Sequence, residues 1–115
     1  LLETDRAAAL AALGAVATDP ALPDAWRQLA ALKRVLAGGA DLPLDERRTT
    51  LTALAQAGQP LRPLASEALA LLDIEAGDAD SARARLDELL TQAEATDGLR
   101  RRAAQMLAAL DAGTP

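Results

Sequence analysis

The sequence predicts an all-α protein built as stacked antiparallel helical hairpins, about six helices in all. Three observations carry that expectation. Alanine and leucine supply 30 and 23 of the 115 residues, whereas valine and isoleucine together supply three and phenylalanine and tyrosine none, so strong helix formers dominate and the usual strand formers are missing. Apolar residues recur at helical spacing along most of the chain. Gly and Pro then divide it into stretches joined mostly by a few residues, and short connections make neighbouring helices antiparallel.

Thr4 can cap a first helix running to about Ala17, with Leu10, Leu13 and Ala17 on one face and Val16 beside it. Asp19 and Pro20 end it. A second helix starts at Pro23, with Asp24 near the positive end of the dipole. Ala25, Leu29, Leu32 and Leu36 mark its expected inner side, and Gly38 with Gly39 stops it. Pro43 opens a third helix with Asp45 and Glu46 in its first turn. Leu44, Leu51, Leu54 and Ala55 are expected to face inward, but Arg47, Arg48, Thr49, Thr50 and Thr52 leave only a thin apolar stripe before Gly58 and Pro60.

The fourth helix, residues 61–76, differs in kind. Leu61, Leu64, Ala65, Ala68, Leu69, Leu71 and Leu72 cover nearly half of its circumference, with Ile74 beyond that arc, so it should be buried on more than one side and form the centre of the domain. Gly77 is a natural left-handed terminator and Asp78 a natural N-cap, which starts a fifth helix with Ala82, Leu86, Leu89 and Ala93 as its stripe. Thr96 or Asp97 caps a sixth, where Leu99, Ala103, Met106, Leu107 and Leu110 point one way. Residues 111–115 read as a frayed tail.

Composition narrows the function. Residues 1–115 make one domain's worth of chain. Because the chain begins at Leu1 and its sole methionine is Met106, it is expected to be a fragment of a longer protein, with any signal or anchor upstream. No apolar run reaches the roughly 18 residues that a membrane span requires, so a soluble fragment is expected. With no cysteine and no histidine, zinc sites of the usual kind, thiol chemistry and the commonest general base are all unavailable. A net charge of -5 speaks against a nucleic-acid partner, since phosphate binding needs clustered positive charge.

The clusters that invite chemistry have plainer readings. Asp73, Glu75, Asp78 and Asp80 lie around one turn, but an EF-hand loop starting at Asp73 would put Asp78 where Gly is required and Ala84 where the bidentate Glu belongs. Capping and a solvated acidic edge account for them better. Arg100, Arg101 and Arg102 spread around the helix and have no Tyr or Phe nearby for base stacking, so pairing with acidic residues of the fifth helix is expected. Ser66 and Ser81, the only serines, have no histidine to activate them. Trp26, the only aromatic residue, is expected to be a packing anchor. No catalytic residue, cofactor, metal or small-molecule substrate is expected.

The helices also fall into a repeat. Trp26, Leu29 and Ala30 open one unit, Pro20 precedes Trp26 by six residues, and Pro60 precedes Ser66 in the same way before Leu69 and Ala70. Gly77 marks the turn, and Ala82, Leu86 and Leu89 take the inner positions of the second helix. This pattern resembles the tetratricopeptide repeat, which implies a right-handed superhelix of hairpins. The pattern is departed from in places: Asp73 stands where an aromatic is usual, Arg48 where a small alanine is expected, and the last hairpin lacks the closing Pro. Trp26 to Ser66 spans 40 residues instead of the usual roughly 34, an excess that a six-residue insertion in the Gly38-to-Leu42 loop can absorb. The stretch RPLASEALALLDIEAGDADSARARLDELL, with GLRRRAAQMLAAL after it, resembles the tetratricopeptide-like domain of single-span bacterial inner-membrane proteins, a group that includes the ancillary subunit of the SecYEG translocon. The resemblance implies an upstream anchor, a domain on the periplasmic face of the inner membrane, and a role in protein contacts near secretion or envelope biogenesis.

A non-catalytic protein–protein interaction module follows, with an unidentified protein or peptide partner. On the repeat frame its concave face carries Arg27, Arg34, Glu67, Leu71, Ile74, Arg101 and Gln105. Leu71 and Ile74 are either part of that face or simply covered by a neighbouring helix. The alternative function is self-association within an envelope scaffold. A weak homodimer through the first helix is also expected, because Leu10, Leu13 and Val16 should leave some apolar surface uncovered.

Overall fold

The computed structural model describes residues 2–113, with side chains from Thr4 onward. The described residues form six α-helices: α1 (Leu2–Ala17), α2 (Asp24–Gly38), α3 (Leu44–Leu54), α4 (Arg62–Glu75), α5 (Ala79–Thr91) and α6 (Asp97–Ala112), with one 3-10 turn at Gly39–Asp41. The all-α, hairpin-stacked class is as expected. No helix among the described residues is long and apolar enough to cross a membrane.

Local chemistry explains the boundaries. α1 begins before Thr4, which sits inside the helix instead of capping it. Pro23 and Pro43 stand immediately before α2 and α3, as residues with a fixed φ and no N–H to satisfy. Between α4 and α5 the chain reverses in a Schellman turn: the Asp78 N–H reaches the Asp73 carbonyl at 2.8 Å and the Gly77 N–H reaches that of Ile74 at 3.0 Å. Gly77 makes this possible at φ 82°, where a side chain would be strained. Asp78 then caps α5 by accepting from the Ser81 N–H at 3.1 Å. Of the two candidate caps for α6, Thr96 takes the role, accepting from the Leu99 N–H at 3.1 Å. α6 continues to Ala112, past the start of the stretch expected to fray, and Asp111 pairs there with Arg83 at 3.2 Å. Thr114 and Pro115 lie outside the described residues.

The main packing runs between sequence neighbours, with α4 also touching α6, and gives a slab of 45 × 33 × 23 Å. Two apolar clusters fill it. Leu32 and Val35 of α2 meet Leu51 and Leu54 of α3 and Ala65, Ala68, Leu69 and Leu72 of α4. Ala70, on another side of α4, meets Leu86 and Leu89 of α5, Ala95 in the following loop, and Leu99 and Ala103 of α6. α4 is thus the wall common to both clusters, which is the central place its apolar arc predicts. Arg6 ties α1 to the end of α2 by donating to the Ala37 and Gly38 carbonyls at 2.7 and 2.9 Å.

Several side chains face otherwise than periodicity predicts. Trp26 is 67% exposed, so it is not a packing anchor. Leu29 and Leu36 are likewise exposed, while Ala30, Leu32 and Val35 go inward. α2 is apolar around much of its circumference, and it turns Leu32 and Val35 to α3 and α4. Leu44 is at the surface too, and Ala93 is exposed in the loop after α5.

The thin stripe of α3 is supplemented by ions. Arg47 is buried, with Nε donating to the Leu42 carbonyl at 3.0 Å and Nη1 and Nη2 forking onto Glu75 at 2.6 and 3.1 Å. Asp73, 1% exposed, accepts from Arg48 of α3 at 2.9 Å and from Arg85 of α5 at 2.7 Å. One buried carboxylate therefore joins three helices.

Candidate protein-contact surface

The seven residues expected on one concave face do not form one surface. Arg27 and Arg34 leave α2 roughly 160–180° away from Leu36 at the helical pitch. They border depressions between α1, α2 and α3, where Arg34 pairs with Glu46 at 2.6 Å and Arg27 with Asp24. Leu71 instead borders a depression of about 140 Å³ shared by α2, α3 and α4. The split follows from the orientation of α2, which turns its arginine side toward α1 and α3. Glu67 looks across to α6, where Arg102 grips it at 2.8 and 3.1 Å. Arg101 and Gln105 are exposed on α6.

What the structure does assemble is apolar. Leu71 and Ile74 are 49% and 39% exposed, so no helix among the described residues covers them. On the same helix Leu64 is exposed as well, and on α2 so are Trp26, Leu29 and Leu36. Antiparallel steps from α2 to α3 and from α3 to α4 leave α2 and α4 parallel. Leu36 and Leu71 line the same depression, floored by Val35, Leu51, Ala68 and Leu72. At its end stands the Arg47–Glu75 pair, whose short hydrogen bond holds the Glu75 carboxyl below its ordinary range and the Arg47 guanidinium above its own.

Sequence reasoning named Leu71 and Ile74 but missed Trp26, Leu29, Leu36 and Leu64. A signal was available. Trp26, Leu29, Lys33 and Leu36 follow the spacing i, i+3, i+7, i+10, and Leu64, Glu67, Leu71 and Ile74 repeat it. Each set is one helical face with three apolar residues and one charge.

The acidic cluster at the α4–α5 turn is divided among separate partners. Asp73 takes Arg48 and Arg85, Glu75 takes Arg47, and Asp80 takes Arg83 at 3.4 Å. Asp78 is held below the usual carboxyl range, first by the Ser81 hydroxyl at 2.7 Å and then by the Ser81 N–H. The basic run pairs differently from expectation. Arg102 bonds to α4 instead of α5, and Arg100 reaches Asp97 of its own helix at 3.4 Å and the Gln92 carbonyl at 2.9 Å. Ser66 is buried, with its hydroxyl accepting from Gln92 at 3.3 Å. No protein-family model, curated protein or solved structure matches this chain.

Proposed function

We propose that this domain is a non-catalytic protein–protein interaction module whose contact surface is the apolar face of α2 and α4. The observation that carries the reading is the exposure of six large apolar side chains, Trp26, Leu29, Leu36, Leu64, Leu71 and Ile74, on two parallel helices. Single exposed leucines are ordinary, but an apolar group spread over adjacent helices marks a surface that another protein covers. The ion pairs of Arg47 and Arg102 bound it with polar groups, the rim such interfaces usually have.

Under the same proposal the domain works at the periplasmic face of a bacterial inner membrane, tethered by an anchor outside this sequence, near secretion or envelope biogenesis. The resemblance of residues 60–110 to the tetratricopeptide-like domains of single-span inner-membrane proteins supports that setting.

The test is site-specific photo-crosslinking in cells with the full-length protein. A photoreactive residue in place of Leu36 or Leu71 should give discrete protein adducts, and one in place of the exposed Asp87 on α5 should give none. Equal labelling at the three positions, or none at all, would remove this face as the contact surface.

A further inference from the structure

We propose that the groove between α1 and α3, on the side of α2 away from Leu36, binds a short uncharged peptide in extended form. This is a second site, independent of the apolar α2/α4 face. α1 and α3 both pack on α2 but have little contact with each other. Two depressions of about 440 and 370 Å³ lie between them, and Ala17, Ala31 and Thr50 line both, so the two are one continuous groove. Each is within the range of roughly 300–1,000 Å³ usual for ligand sites.

The opening follows from residue size. α1 brings Gly14 and Ala17 to the groove, α2 brings Ala31 and α3 brings Ala53, none with a side chain larger than a methyl group. Such residues leave the space between the helices unfilled and let a guest's backbone lie close. Arg34 spans one end. Its side chain lies against Gly14, where a Cβ would stand 3.5 Å from Nε, and its Nη1 reaches Glu46 of α3 at 2.6 Å.

The polar groups choose the guest. Arg34 pairs with Glu46 and Arg27 with Asp24, all four on the groove wall, so the groove is balanced in charge and offers an anion no net attraction. The sole aromatic residue, Trp26, is not on that wall, so nothing there stacks on a base. What remains is hydrogen-bonding capacity. A guanidinium carries five N–H donors, and each of these arginines spends one nitrogen on its carboxylate. Arg27 Nε and Gln28 Oε1 are shut off from solvent and, among the described residues, have no hydrogen-bond partner.

Adjacent residues bordering the second depression thus hold one orphan donor and one orphan acceptor. Unmet polar groups of this kind are costly, and a guest that bonds them removes the cost. A main-chain amide has one C=O and one N–H, the complement of that pair. Both side chains are only partly buried, so a small rotation brings Nε and Oε1 to the guest. Arg27 and Arg34 are seven residues apart on α2, about 10.5 Å along the helix, a length that an extended chain covers in about three residues. The guest is therefore a stretch of about that length, bonded through its main chain and bearing small side chains that suit the alanine floor.

Acetyl-trialanine amide is the probe, titrated to about 20 mM into the isotope-labelled chain and followed by amide chemical shifts. The amides of Ala17, Ala31 and Thr50 should move along saturable curves with a dissociation constant in the millimolar range, while that of Leu71 stays in place. Ala31→Leu, which fills the floor, should abolish the shifts. Arg27→Met removes the donors of an exposed ion pair that adds little to stability, and should weaken binding roughly tenfold, the size of one hydrogen bond to a charged group. Circular dichroism should show both variants folded, and Arg27→Met decides alone if Ala31→Leu does not fold. Leu71→Asp should bind as the parent does.

No saturable shifts, shifts spread over the whole surface, or undiminished binding by Arg27→Met would each overturn the proposal. Sodium phosphate displacing the peptide at equal concentration would reveal an anion site and overturn it as well. So would loss of peptide binding in Leu71→Asp, which would move the peptide to the α2/α4 face; crosslinking from Leu36 and Leu71 tests that face separately.

Discussion

The Arg48 guanidinium lies 2.9 Å from the Asp73 carboxylate, joining α3 to α4 at a position where Asp73 is only 1% exposed. These are two of the positions at which the sequence departs from a tetratricopeptide pattern. One departure answers the other: where an aromatic residue and an alanine would pack, a carboxylate and a guanidinium pair, and Arg85 of α5 adds a second ion pair at 2.7 Å.

Arg48→Ala and Asp73→Ala should therefore not be additive. Asp73→Ala should cost about 2 kcal/mol, below the roughly 3–5 kcal/mol of breaking a fully buried pair, because both arginine side chains are about a third exposed and can turn to water. A double-mutant cycle by urea denaturation should give a coupling energy above about 1 kcal/mol. Additive losses would mean that the contact contributes nothing of its own.

Neighbouring leucines of α4 should behave differently. Leu69 and Leu72 are 1% and 4% exposed, so Leu→Ala at either should cost about 2–5 kcal/mol. Leu71→Ala, at a half-exposed site, should cost under about 1 kcal/mol in the monomer. Thermal melts of the three variants at low concentration would expose any error in the placement of α4, since a similar loss in all three contradicts it.

Gly77→Ala tests the reversal between α4 and α5. The position has space for a methyl group but sits at φ 82°, so the penalty comes from the backbone alone, about 1 kcal/mol. Chemical denaturation should show that loss without change in the slope against denaturant. A neutral substitution would show that the turn readily adopts another conformation.

Acid should weaken the fold below the ordinary carboxyl range. Glu75 is held below its ordinary value of 4.5 by the hydrogen bond from Arg47, and Asp78 below 3.8 by the bonds from Ser81. A lowered folded-state value means that the native protein releases the proton more readily than the unfolded chain does. The associated stability is in place above the ordinary value and is lost as pH falls through it toward the lowered one. Melting temperature followed from pH 6 to pH 2 should decline mainly below about pH 4.5, and Glu75→Gln should remove part of that decline. An unchanged profile in the variant would remove Glu75 from the account.

Much of the fold was legible because α4, α5 and α6 have apolar stripes bounded by clear terminators. Gly77 and Asp78 mark their turn without ambiguity, and the arc of α4 announces burial on more than one side. α2 was not legible in the same way. With Trp26, Leu29, Leu32, Val35 and Leu36 spread around it, the periodicity admits more than one inner side, and the repeat pattern favoured the wrong one. The candidate site shares that ambiguity: the repeat pattern sets Arg27 and Arg34 beside Leu71, whereas they border depressions on the far side of α2. The buried role of Arg47 and Arg48 was hidden too, since an arginine in a helix reads as surface until its carboxylate partner is known.

The shared position of α4 between two clusters also bears on how the chain folds. Nearly every tight packing step joins helices adjacent in sequence, so little loop-closure entropy is lost before contacts form, and low contact order favours rapid folding. α4 and α5, joined by the short Gly77–Asp78 turn, can dock early and present both faces of α4 to the helices still unattached. α6 then adds on one side and α3 with α2 on the other, as two branches from one nucleus. α1, held chiefly through α2, stands furthest from that nucleus, and its amides should be the first to exchange with solvent in the native protein.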